Sequence, residues 1–523
     1  MKRQAILVLL VAVVALVLVG IARRATVITP VGDLAIIESD TLLASTGHLD
    51  LGPYSRYRWH HPGPLYFFAM APFYALSGFR TTGLDVGAGT INIVALVLIA
   101  TILRRRAAAP LAVGLCAFAG LWIWRAADAV ANPWNPHVPV LPMMALLVAS
   151  ADAISGTPAI LPMVAVMASL AAQTHVGLVP AAAVLGVVAV AGSFLPSGEF
   201  QPARPARLRA LSITTLVLIV LWLPPLVEQF SNQPGNFTRL WQFFTAESRP
   251  GQSLAGAFSV WSDALCGVLR PDFFVAHGMH WQASTFRWSK VLAVMQLIML
   301  GIASARAIRA RRMYDAALPA LLLLTSLLAL WSTTRIVGEV FDHEVFWVSA
   351  LGAFNLGAIA AFLLSLMAAQ TRRSAAGTMV VSTVCGLLVV GGVLTVGREL
   401  NEAVSQSRRP ELASQAAAGV AEDLRNYLQA QHIDRPLIRI DREIWEMAVG
   451  VVLQLQKQGV PVAIEDEWVT MFTPAFAASG HESIEITIAG KNAHVRLMNA
   501  GGSPTIAWRD PLFAHVVRRT SAD

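Results

Sequence analysis

Eleven apolar runs, at 5–21, 86–103, 109–124, 137–151, 158–172, 176–194, 211–227, 289–304, 314–331, 345–367 and 377–397, recur through the first three quarters of the chain. Each approaches the roughly 20 residues that a helix needs to cross the hydrocarbon of a bilayer. Soluble domains carry about a quarter charged residues, whereas this 523-residue chain is 14% charged and 55% hydrophobic. A soluble fold is excluded. The expected fold class is a membrane all-α protein with about 11 transmembrane helices, followed from Arg398 by a stretch of ordinary soluble composition.

The arginines orient the spans. The formal charge of +7 sits largely in short clusters between apolar runs: Arg104, Arg105 and Arg106; Arg204, Arg207 and Arg209; Arg306, Arg309, Arg311 and Arg312; Arg372 and Arg373. That is a positive-inside pattern, not a nucleic-acid footprint. A cytoplasmic N-terminus puts all four clusters in the cytoplasm, and an odd span count then sends the C-terminal domain outside. Arg23 and Arg24 disagree mildly. The first run follows Lys2 and Arg3, is longer than a signal-peptide core and has no clear small-x-small site after it, so it reads as a retained span. Leu65–Leu76 is too short for a twelfth span and is expected to lie on the outer leaflet. The expected layout is a 1–397 transmembrane domain with outer loops 22–85 and 228–289, and an extracytoplasmic domain 398–523, in the inner or plasma membrane.

The three cysteines, Cys116, Cys266 and Cys385, have neither metal spacing nor the even count of a disulfide framework. Lysine is scarce beside arginine, a hint of a bacterial genome. In the tail the pattern predicts a helix over 408–431, a strand at PLIRID, a helix at REIWEMAVGVVLQLQKQG, a strand at VPVAIE, and a hairpin of ESIEITI with AHVRLMN. This alternation implies a small α/β domain. With no G-x-G-x-x-G or P-loop, nucleotide use has no support.

The first outer loop concentrates Asp33, Glu38, Asp40, His48, Asp50, Arg56, Arg58, His60 and His61 beside the membrane. Asp33 follows Gly32 and opens LAIIESDTLLAS, whose apolar spacing fits a short helix. On physics alone, a carboxylate there is equally well a helix-start residue favoured by the helix dipole.

An acid early in this loop, the Pro-rich HPGPLYFFAMAPFYALSG about 28 residues on, and a later span ending in Arg104, Arg105 and Arg106 together resemble the GT-C superfamily of polyprenyl-phosphate-sugar-dependent glycosyltransferases. The likeness is to the branch of protein O-mannosyltransferases and lipid A aminoarabinose transferases, and it covers roughly 1–244. Two features depart from that branch. Asp33 is followed by Leu34 where two adjacent acids are frequent, and the turn reads His61-Pro62-Gly63-Pro64. The resemblance implies transfer of a sugar from a polyprenyl-phosphate donor to an envelope lipid, glycan or protein on the outer face, by inverting displacement. It makes Asp33 the general base. Arg56, Arg58, His60, His61 and Arg335 are the candidates for the donor phosphate, although the loop arginines serve equally well as contacts to anionic lipid headgroups. A divalent metal is left open and no ligand for one is assigned, since the adjacent His60 and His61 do not converge on an ion by themselves.

Polar residues at the ends of other spans complete the expected pocket. Asn135 and His137 precede the fourth span, Gln173 and His175 interrupt two apolar runs, and Glu228 and Asn236 open the second large loop beside aromatic residues. Such groups face protein or water rather than lipid, and with Glu38 and Tyr54 they are expected to line the substrate pocket. Two other readings stay open, a transporter or flippase of a lipid-linked glycan and a catalytically inactive envelope scaffold. The sequence shows no matched halves of the kind transporters use.

Overall fold

The computed structural model describes residues 2–194, 204–246, 250–273, 275–367, 375–500 and 504–518. Each of the eleven apolar runs forms a helix. Seven are long and apolar enough to cross a membrane: Ala5–Ala22, Thr82–Arg106, Arg204–Ser231, Ser289–Arg309, Met313–Thr334, Asp342–Leu366 and Ala375–Ser407. The other four, Ala109–Arg125, Val140–Ile154, Pro158–Thr174 and Val176–Gly192, are shorter. At 1.5 Å per residue, 17 residues reach about 25 Å against a hydrocarbon core of about 30 Å. Leu216, Ile219, Val220 and Leu223 are exposed on one of the long helices, a surface that hydrocarbon accepts and water penalises. The chain is an integral membrane protein. Leu65–Leu76 is a helix of 12 residues, as its length predicts. Arg372 and Arg373 lie outside the described residues.

Contacts divide the chain into two compact units. The first comprises Met1–Leu16, His61–Tyr66 and Ala88–Glu399. Small residues let its helices close up: a Cβ on Gly114 would stand 2.3 Å from the carbonyl oxygen of Gly357, so the helices of these two residues meet backbone to backbone. Polar side chains tie other helices together. Asn355 donates to Gln296 Oε1 at 3.2 Å and to Ser326 Oγ at 3.0 Å, and Trp122 Nε1 donates to Ser349 Oγ at 2.9 Å.

The second unit comprises Val17–His60, Phe67–Gly87 and Leu400–Asp523, so the tail folds together with most of the first expected outer loop. Its sheet contains β1 (Leu437–Ile440), β2 (Ala463–Ile464), β3 (Ile484–Ala489), β4 (Thr505–Arg509) and β5 (Leu512–Arg518) in the order β2-β1-β3-β5-β4. β1 runs parallel to β2 and β3, while β5 pairs antiparallel with β3 and β4. The helices Leu412–Ala430 and Trp445–Lys457 supply Val420, Leu424, Val449 and Val452 to the core, and the Gly32–Ser45 helix adds Ala35 and Ile36.

The expected hairpin of ESIEITI with AHVRLMN is corrected. The second segment lies in the helix Lys491–Ala500. Its alternating Ala493, Val495 and Leu497 imitate a strand, but Ala493 is buried whereas Val495 is exposed. The hairpin forms further on, between β4 and β5, around the Asp510-Pro511 turn.

Candidate functional site

Asp33 belongs to the second unit. Gly32 begins its helix at φ +58, a conformation that disfavours any side chain, and a Cβ there would lie 3.6 Å from Glu446 Cγ. The preceding Val31 contributes no side-chain cap, and Asp33 occupies the first turn, where the free amides and the dipole favour a carboxylate. Tyr54 donates its hydroxyl to Asp33 Oδ1. Burial, and then the Asp33 charge, push the Tyr54 hydroxyl well above its ordinary range, so it remains a donor. Asp33 is therefore a carboxylate oriented by a phenol, an arrangement able to receive a proton.

Two further acids surround this pair. Asp40 lies two turns along the same helix, on the side of Asp33. It is 1% exposed, and neither of its carboxyl oxygens has a hydrogen-bond partner among the described residues. Burial raises its pKa well above the usual carboxylate range, which favours the neutral acid. Glu446, on the Trp445–Lys457 helix, also acts on the Tyr54 hydroxyl. The sequence offered no signal for Glu446, because only the fold brings it to Asp33.

Residues 54–60 form a small hairpin: Tyr54 and His60 bridge antiparallel, and Ser55 N donates to Trp59 O at 2.8 Å. Arg58 takes a left-handed turn conformation at φ 64, and Arg56 and Arg58 are exposed near the tip. His60 is buried at the base, with Nδ1 donating to Gly52 O at 2.9 Å. Glu38 is fully buried and receives Tyr74 Oη at 2.8 Å, Thr81 Oγ1 at 2.7 Å and the Lys457 ammonium. It ties the Gly32–Ser45 helix to Tyr74, Thr81 and Lys457.

His61 belongs to the first unit, at the start of the His61-Pro62-Gly63-Pro64 turn. Gln173, fully buried, fixes that turn: its Oε1 accepts from Leu65 N at 3.2 Å while its Nε2 donates to Leu221 O at 2.9 Å. The departure at Gly63 is required sterically, since a Cβ would fall 2.4 Å from Gln173 Oε1 and 2.8 Å from Pro225 Cγ. His61 Nδ1 accepts the Val176 backbone N–H at 2.9 Å, and His175 Nδ1 accepts that of Gly177 at 3.2 Å. The two rings stack with centroids 5.0 Å apart. With Nδ1 engaged as acceptor, each ring carries its proton on Nε2. Burial pushes His175 down to about 3, which keeps it neutral. His175 thus presents an uncharged ring.

Nearby contacts gather other expected residues into this unit. Asn135 Nδ2 donates to Thr174 O at 3.4 Å, and His137 Nε2 bonds Ala276 O at 2.9 Å. Trp134 meets the rings of both His137 and His343 at 5.2 Å. Glu228 accepts from Asn236 N at 2.9 Å, so these two residues serve the start of the Asn236–Thr245 helix. Arg335 is exposed at the end of its helix and donates to Phe244 O at 3.0 Å. Among the described residues no group of three or more His, Cys, Asp or Glu is placed to hold a metal ion.

No family model matches the chain, and no curated protein sequence matches it. Solved structures do. The crystal structure of ArnT from Cupriavidus metallidurans bound to undecaprenyl phosphate aligns at TM-score 0.50 and 12% identity over 97% of each chain. The apo form of the same protein aligns at 0.50 and 14% over 98% of each. At such identities the likeness is one of fold, and the GT-C fold expected from the first loop is the fold this chain has.

Proposed function

We propose that this chain is a membrane glycosyltransferase that moves a sugar from a polyprenyl-phosphate donor to an envelope acceptor on the outer face of the inner membrane. The observation that carries the reading is the fold, shared along nearly the full length of both chains with a protein whose crystal structure holds undecaprenyl phosphate. The acceptor hydroxyl oxygen attacks the anomeric carbon, and the bond from that carbon to the phosphate oxygen breaks with inversion. Asp33, oriented by Tyr54, takes the hydroxyl proton. The electron pair leaves with the polyprenyl phosphate, whose growing charge needs donors rather than an acid. Arg56 and Arg58, which belong to the same unit as Asp33, are the cations proposed for it.

The test is reconstitution of the purified protein with a panel of radiolabelled polyprenyl-phosphate sugars, alongside Asp33→Asn. Sugar transfer or release is expected from one donor and is lost in the variant. Transfer that persists in the variant removes Asp33 as the base, and movement of intact donor across liposomes without cleavage replaces the enzyme with a flippase.

A further inference from the structure

Arg23 and Arg24 stand apart from the charge pattern of the chain: they follow the first span directly, on the side that the arginine clusters leave poor in basic residues. A cation kept there needs a reason of its own. Residues 17–22 of that span, residues 67–76 of the Leu65–Leu76 helix and the first turn of the Thr82–Arg106 helix belong to the second unit. Two hydrogen bonds bring their ends to one level. Thr82 Oγ1 donates to Ala22 O at 3.2 Å, and Arg23 Nε donates to Leu76 O at 2.7 Å. Val17 is 58% exposed on a helix that crosses the membrane, and the apolar span ends at Ala22, so this level is the membrane boundary. The turn 77–81 lies in it.

The turn carries both kinds of group that a lipid surface takes. Arg80 Nη1 donates to Ser77 O at 3.0 Å, so Arg23 and Arg80 hold two consecutive carbonyls at one helix end. Arg24 is exposed beside Arg23. None of the three arginines meets a carboxylate among the described residues, and the helix end offsets only about half a charge. Glu38, which accepts from Thr81, is buried and already paired with Lys457. A positive excess remains, and it calls for an anion.

Apolar groups narrow the class of anion. Pro72, Ala75, Leu76 and Phe79 are exposed at helical spacing, Leu76 at 46% and Phe79 at 43%. Phe79 is held at φ 57, in the left-handed region that a bulky side chain avoids. Its N–H donates to Tyr74 O at 3.0 Å, and its carbonyl accepts from Lys457 at 3.0 Å. The backbone is thus strained where the ring is presented at the boundary. Water penalises that face and hydrocarbon accepts it. A free anion would leave it uncovered, and a zwitterionic lipid would bring a cation of its own to the arginines. An anionic phospholipid meets both demands, its phosphate at the arginines and its acyl chains at Leu76 and Phe79.

We propose that Arg23, Arg24 and Arg80, with Leu76 and Phe79, form a binding site for an anionic phospholipid of the bulk membrane. The inference does not depend on the transferase reading.

The test places the full chain in phosphatidylcholine nanodiscs doped with photoactivatable phosphatidylglycerol, or with photoactivatable phosphatidylcholine in a parallel set, and maps the crosslinks by peptide mass spectrometry. Phosphatidylglycerol is expected to label the peptides around Arg23 and Phe79 more strongly than phosphatidylcholine does. Arg24→Gln, whose side chain bonds to no other described residue, is expected to lower that label about fivefold, the equivalent of about 1 kcal/mol for one arginine at an anionic surface, while Arg24→Lys keeps it. Phe79→Ser is expected to lower the label from both lipids. Equal labelling by the two lipids, or phosphatidylglycerol labelling unchanged in both Arg24→Gln and Arg80→Gln, overturns the proposal and leaves capped helix ends. Unlabelled competitors identify the anion: excess phosphatidylglycerol displaces the label and inorganic phosphate does not. Displacement by inorganic phosphate, or by polyprenyl phosphate at a far lower mole fraction than phosphatidylglycerol, overturns it in favour of a simple anion site or a donor site. Each variant is melted beside wild type, and if Arg80→Gln melts early, Arg24→Gln alone decides.

Discussion

Lys457→Met isolates the bond that holds the helix of Asp33 to the helix of Glu446. In the wild type, Glu38 is fully buried and accepts from Tyr74, Thr81 and Lys457, while the same ammonium donates to Phe79 O at 3.0 Å. Methionine keeps the apolar stem beside the Tyr74 ring but leaves the carboxylate with two neutral donors. Removing one partner of a buried ion pair costs about 3–5 kcal/mol. For a unit of roughly 190 residues each kcal/mol moves the melting point by about 2–4 °C, so the midpoint should fall by roughly 6–20 °C. Tryptophan fluorescence in detergent at a fixed scan rate reads this directly.

The stranded charge itself is the source of the deficit. Adding Glu38→Gln removes the charge and should recover most of the loss at neutral pH, short of about 1 kcal/mol for one mismatched hydroxyl. A midpoint within about 2 °C of wild type, or a deficit that Glu38→Gln does not reduce, would refute the reasoning.

Asp33→Asn should lower turnover of the labelled donor by about 10²–10⁴, and Tyr54→Phe, which only orients the base, should lower kcat by about tenfold with little change in KM; equal losses would make Tyr54 more than a positioning residue. Gly63→Ala should destabilise by about 1–3 kcal/mol because its Cβ displaces Gln173, and an unshifted melt would show that the turn yields. His175 is held at about 3 in the fold against about 6.5 unfolded, so the unfolded chain takes a proton that the folded chain does not. Its contribution is complete above about pH 6.5 and falls by up to about 1.4 kcal/mol per unit as pH drops toward 3. His175→Gln should flatten that slope by one proton, and identical slopes in the two proteins would count against a buried neutral ring.

Much of the scaffold was legible because hydrocarbon imposes a length and an apolar content on whatever crosses it. All eleven runs are helices, and the expected helix at Asp33 spans Gly32–Ser45. The tail was readable up to β3 and misread after it, since seven residues with apolar groups at alternate positions suit a strand or a helix until burial decides. The roles within the loop were harder. Asp33 and His61 stand out by residue type and spacing, whereas the partners of Tyr54, Glu38 and Gln173, expected as pocket linings, appear only in the fold, because a buried polar side chain in sequence does not declare its partner. Gly63, which looks like a lapse in the motif, has its cause in Gln173, more than a hundred residues away.

The exposed arginines of the small hairpin have a consequence for the response to ionic strength. Arg56 and Arg58 act on an anion at range, and salt screens them over about 8–10 Å under ordinary conditions. On the proposed reading, added salt slows the arrival of the lipid-linked donor and lowers kcat/KM, while the step after docking, and with it kcat, is left nearly unchanged.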